Sequence, residues 1–148
     1  MKLRRIVFAT VLLLSGAGAT EARVPVIDYL PSADKHDGGI LDIRSEALCR
    51  KGSLPRARCL PITEFVGPHR RLANFRGMLW LLGSAGLTGE EHLLLVGDVL
   101  ADKELMAGLL YLTGQRRISI LEPSSDAWAR VADLRPGRIR SKTRERVY

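Results

Sequence analysis

The sequence predicts an α/β fold, a parallel sheet flanked by helices on both faces. Three observations carry that expectation. Short apolar runs alternate with stretches of helical period along the chain. The run His92-Leu93-Leu94-Leu95-Val96 is apolar throughout, as a strand covered on both sides should be. Strand, helix, strand and helix then follow one another at the spacing of crossover connections.

Taken in order, Ile40-Leu41-Asp42-Ile43 after Gly38-Gly39 reads as a buried strand with Arg44 at its end. Ser45 can cap a short helix from Glu46 to Arg50 that stops at Gly52. Cys59-Leu60-Pro61-Ile62 reads as a short extended piece at an edge or strand end, because Pro61 lacks an N–H. Leu72 to Ala85 is an amphipathic helix with Leu72, Phe75, Leu79 and Leu82 on its apolar stripe, ended by Gly86. Trp80, inside this helix, reads as core. His92 to Val96 is the central strand, and Asp102 to Leu112 is a helix with Leu105, Leu109 and Leu112 along one face and Gly114 at its end. Ile118 to Leu121 is the next strand, and Ser124 or Ser125 caps a last helix through Trp128 and Val131.

The chain has 148 residues, enough for one ordinary domain and too few for two. A mean hydropathy of +0.02 excludes a polytopic membrane protein. The formal charge of +7 resembles a nucleic-acid signature until the charges are placed. Residues 1–22 carry +2 and residues 135–148 carry +5, which leaves 23–134 electrically balanced with 14 charges of each sign. No nucleic-acid partner is expected of such a body. The final segment, Pro136-Gly137 followed by a string of arginines, reads as a basic disordered tail over 135–148.

Lys2, Arg4 and Arg5 precede the apolar run Ile6 to Leu14 and the small residues Ser15 to Ala19, the order of a secretory signal peptide. This run of nine residues is about half of the ~20 that a spanning helix needs, so no stable membrane span is expected after cleavage. Cleavage fits after Ala19 or after Ala22, giving a signal peptide over 1–22, a domain over 23–134 and a periplasmic or secreted location. An oxidising compartment permits a bond between Cys49 and Cys59, but their spacing alone leaves three readings open: a disulfide, buried apolar filler or a reactive thiol. Two cysteines with the scattered His36, His69 and His92 match no metal-ligand spacing, and no cofactor is expected.

Ile40 to Pro61 reads ILDIRSEALCRKGSLPRARCLP, and here the chain resembles a rhodanese domain, the thiosulfate sulfurtransferase family. Asp42, Arg44, Gly52, Pro55, Ala57, Leu60 and Pro61 fall in register with that family's D-x-R strand end, its glycine motif and its following strand. Leu48, Cys49, Ser53 and Arg56 depart from it. Leu81 to Leu95 is similar to the family's helix, turn and central strand, and Tyr111 to Leu121 with Ala127-Trp128 is similar to its closing segment, with Trp128 as a packing residue. The likeness spans about Val26 to Arg130.

The resemblance implies a nucleophilic cysteine directly after the central strand, within a C-x-x-G-x-R loop whose amides and following helix hold an anionic sulfur group. Here that loop is Gly97-Asp98-Val99-Leu100-Ala101-Asp102. Gly97 stands in the cysteine's place, Leu100 replaces the glycine and Asp102 replaces the arginine; shifting by one residue brings in Asp98, which forms no persulfide. Asp98, Asp102 and Glu104 form an acidic cluster at the strand's end, where Asp102 also suits the helix N-cap. Two functions are expected to compete. The first is a catalytically inactive, exported rhodanese-like module that binds a partner protein through residues 97–102. The second is a sulfurtransferase or thiol-redox protein acting from Cys59, flanked by Arg56 and Arg58, or from Cys49.

Overall fold

The computed structural model describes residues 27–34, 36–122 and 133–141. The signal-peptide expectation for 1–22, the helix expected after Ser124 and the packing role of Trp128 lie outside these residues.

Six strands form one sheet: β1 (Asp28–Leu30), β2 (Gly39–Asp42), β3 (Arg58–Cys59), β4 (His92–Val96), β5 (Arg117–Leu121) and β6 (Arg138–Ile139). Their spatial order is β1-β5-β4-β2-β3-β6, and every pairing is parallel. The α/β expectation holds, and β4 is central, between β5 and β2. Five further elements complete the fold: α1 (Glu46–Lys51), α2 (Ile62–Phe65), a 3-10 turn (Pro68–Arg70), α3 (Phe75–Ser84) and α4 (Leu100–Leu112).

Side chains alternate across a strand, so each strand feeds two layers. Leu41, Leu93, Leu95, Ile118 and Ile120 face the larger core, where Phe65 of α2, Met78, Leu81 and Leu82 of α3 and Met106, Ala107 and Leu110 of α4 pack on them. On the other face Leu94, Val96 and Leu121 join Leu54 in a smaller cluster. Asp42 and Cys59, in register on β2 and β3, also point there, and α1 lies against them.

Helix α1 forms as its sequence dictates: the Ser45 hydroxyl accepts from the Leu48 N–H, and Glu46 and Arg50 pair across one turn. Helix α3 starts later than its periodicity suggests, because Asn74 caps it by accepting from the Gly77 N–H at 2.8 Å. Its inward face carries Met78, Leu81, Leu82 and Ala85. Leu72 and Phe75 are more than half exposed, and Trp80, expected in the core, is 42% exposed. In α4, Leu109 is buried as expected but Leu105 and Leu112 are exposed, and the buried stripe runs through Lys103, Met106, Ala107, Leu109 and Leu110. Asp102 is not the N-cap: Val99 occupies that position and Asp102 sits in the first turn.

The expected extended piece at 59–62 is also shorter than its sequence suggests. Strand β3 covers Arg58–Cys59, and Ile62 already opens α2. The chain still tracks β2, with Leu60 N donating to Asp42 O and Ile62 N to Ile43 O.

The clearest correction concerns the C-terminal segment. Residues 135–141 are not a disordered tail but the sixth strand and its flanks. Ser53 and Arg135 exchange backbone hydrogen bonds at 2.8 and 2.9 Å, Gly137 N donates to Cys49 O, and Arg138 N donates to Ala57 O. Two of the arginines that suggested disorder have acidic partners. Arg140 bonds Glu64 at 2.7 Å and lies over the Trp80 ring, and Arg135 pairs with Asp133.

Candidate functional site

The C-terminal ends of β2 and β4 lie side by side in the centre of the sheet, the usual place for a ligand in an open α/β fold. Between them opens a hollow of about 230 Å³. Gly97, Asp98, Val99 and Asp102 line one wall; Ile43, Arg44, Ser45, Leu48, Pro61, Ile62 and Thr63 line the others. The loop at 97–102 therefore shares the hollow with Arg44 and Pro61. Leu100 and Ala101 do not line the hollow; they open α4.

Gly97 is closed in by its neighbours. A Cβ built on Gly97 would lie 2.9 Å from Ile43 Cγ1 and 3.5 Å from Lys103 Cγ. Ile43 has taken the volume a longer side chain at 97 would need. No sequence signal marks Ile43 as part of the site; its role follows from the register that sets Asp42 beside Val96 and from its backbone N–H donating to Val96 O.

Arg44 is a structural residue in its present bonds. Asp42, fully buried, accepts from Arg44 Nη2 at 2.7 Å, from Arg44 Nε at 3.0 Å, from the Arg44 backbone N–H and from Ser53 Oγ at 2.6 Å. Arg44 Nη2 also donates to Gly52 O. Burial works to lower the Arg44 pKa, but the Asp42 hydrogen bond and charge, with Asp98 beyond, raise it overall. Gly52 is thus the acceptor that fixes Arg44, and Ala57 is buried in the turn before β3. Pro55 lies away from the hollow.

Lys103 was missed in the sequence because it interrupts an apolar face. It is 1% exposed, and its Nζ donates to Leu121 O at the end of β5. Burial pushes its pKa down, opposed by Asp98 and Glu104. Electrostatically the hollow offers Asp98 and Asp102 while the Arg44 charge is already answered by Asp42. Such a site suits a neutral or cationic group, the opposite of an anion cradle.

Neither cysteine stands in the hollow. Cys49 and Cys59 are joined in a disulfide with Cα atoms 5.8 Å apart, both buried, on the Asp42 side of the sheet. They are the chain's two cysteines, so the open question of their state resolves to the disulfide, not to filler or a free thiol. The histidines are less scattered than their numbers suggest. The His36 and His92 rings meet edge to face at 4.7 Å, and His92 Nε2 lies 2.8 Å from Ser119 Oγ. Burial, then His36 and Arg117, lower the His92 pKa. Among the described residues no three metal-ligating side chains come together.

No family model matches the chain, and no curated protein matches it. Among solved structures it is similar to the crystal structure of YnjE, with a TM-score of 0.58 over 82% of this chain and 29% of that one. At 16% identity this likeness speaks for the fold alone. The fold is α/β with a parallel sheet, consistent with a rhodanese-like neighbour.

Proposed function

We propose that this chain is an exported, non-catalytic rhodanese-like module that binds a partner protein through the loop at 97–102. The observation that carries the reading is the closed position at Gly97, with Ile43 packed against it, and both sulfurs bonded to each other elsewhere. Sulfur transfer needs a thiolate that can attack and then hold a sulfane sulfur, and a buried disulfide supplies none. The acidic, partly apolar hollow fits a basic or neutral side chain of a protein partner. A disulfide and the apolar N-terminal run both support export to an oxidising space. The alternative, sulfur or redox chemistry from Cys59 or Cys49, first requires reduction of a bond that Gly137 covers.

The test is thiocyanate formation from thiosulfate and cyanide by the purified protein, with and without reductant. The expected rate equals the protein-free blank. Gly97→Cys alone is expected to stay inactive and to lose about 1–3 kcal/mol of stability by overpacking against Ile43; Ile43→Ala beside it relieves that clash only by truncating a buried core side chain, and the pair is expected to stay inactive as well. Thiocyanate formation by the natural chain that disappears in Cys59→Ser would overturn the proposal.

A further inference from the structure

Helix α4 buries one side against the sheet and carries an apolar stripe on the other. Ala101, Leu105, Gly108 and Leu112 are exposed and follow one another at spacings of four, three and four, which stacks them on one narrow face of the helix. Leu112 is 69% exposed, more than any other large apolar side chain among the described residues. Gly108 is a notch in the stripe, since a Cβ there would meet nothing within 4 Å. We propose that two copies of this chain pair through this face, with their α4 helices antiparallel.

The order of side chains along the stripe points to a second copy as the occupant. Small and large residues alternate: Ala101, Leu105, Gly108, Leu112. A two-fold axis crossing α4 between Met106 and Ala107 sets Leu105 against Gly108 of the second copy and Leu112 against Ala101 of the second copy, and by symmetry the reverse. Each leucine then enters a gap that the facing helix leaves, as in knobs-into-holes packing. An in-register parallel pair would set leucine on leucine and glycine on glycine.

The charges beside the stripe complement one another in the same arrangement. Glu104 and Tyr111, two turns apart, border it on one side, and the Arg116 guanidinium lies over the Tyr111 ring at 4.7 Å from its centre. The two-fold axis keeps this border on one side of both copies and reverses its direction. Glu104 therefore comes within about one helical turn of the Arg116 guanidinium of the second copy. The Tyr29 hydroxyl donates to one Glu104 oxygen at 2.9 Å and holds the carboxylate at this border. A single pair of short helices buries less than the roughly 1,200–2,000 Å² of stable interfaces, so the dimer is reversible, with a dissociation constant on the order of 0.1 mM. At low micromolar concentration the chain is monomeric. Ala101 does not line the hollow at Gly97, so the inference stands apart from the reading of residues 97–102.

Sedimentation equilibrium of the full chain from about 5 μM to about 1 mM tests it, with a monomer–dimer equilibrium as the expected result. Gly108→Leu fills the notch and is expected to weaken dimerisation at least about tenfold, although it adds exposed apolar surface. Adding Leu105→Ala to Gly108→Leu exchanges the large and small positions and is expected to restore dimerisation to within about threefold. Leu112→Lys, at a position that the fold leaves exposed, is expected to abolish the dimer. A chain that stays monomeric over the whole range, whatever covers the stripe, would overturn the proposal. So would a dimer that Gly108→Leu strengthens, one that Leu112→Lys leaves intact, or a double variant that dimerises no better than Gly108→Leu alone.

Discussion

Gly137→Ala is expected to lower the unfolding free energy by about 2–4 kcal/mol, through overpacking together with lost backbone hydrogen bonds. A Cβ at this position would lie 2.6 Å from Cys59 Sγ and closer still to Cys49 Sγ. Both sulfurs are fixed by their mutual bond and by burial, so neither can retreat. The segment must therefore lift from β3, surrendering the hydrogen bonds of Gly137 N to Cys49 O and Arg138 N to Ala57 O. Denaturant unfolding reads the loss as a lowered midpoint, and limited proteolysis reads it as faster cutting within 135–141. Gly108→Ala is the control: a Cβ there meets nothing within 4 Å on helix α4, and a gain of about 0.5–1 kcal/mol is expected from the better helix former. Equal stability of Gly137→Ala and the natural chain would mean that the C-terminal strand is not seated on the disulfide.

Asp42→Ala is expected to cost about 3–5 kcal/mol, the range for breaking a buried pair by removing one partner. Four donors converge on this carboxylate, two of them from the Arg44 guanidinium and one from buried Ser53. Removing it leaves a positive charge without its counterion and a hydroxyl without its acceptor. Asp42→Asn keeps one acceptor oxygen and is expected to lose less, about 1–3 kcal/mol. A double-mutant cycle with Arg44→Met isolates the coupling. If Asp42→Ala and Asp42→Asn unfold at the same denaturant concentration as the natural chain, the D-x-R pair is not what braces the end of β2.

The elements with strong period were legible in the residues: β4 from its unbroken apolar run, β2 from the glycines before it, α1 from Ser45. The place of residues 97–102 directly after the central strand was legible as well, and four of them line the hollow there. What was not legible had physical causes. Strand β6 is two residues long in a basic segment, and it pairs through backbone groups that carry no side-chain pattern. The face of α3 was not legible because apolar residues lie on several of its sides, and period alone does not say whether Trp80 or Met78, Leu81 and Leu82 meets the sheet. Lys103 defeats a reading based on hydrophobicity because a single carbonyl, Leu121 O, makes its burial possible. Ile43 and the Cys49–Cys59 bond depend on distances that spacing does not contain.

The central claim is that this chain presents no sulfur nucleophile. Intact mass spectrometry of the purified, unreduced protein after incubation with thiosulfate tests it most directly. The account predicts a mass two hydrogens below that of the fully reduced chain, with no added sulfur. A species heavier by one sulfur atom, mapped by peptide analysis to Cys59 or Cys49, would contradict it.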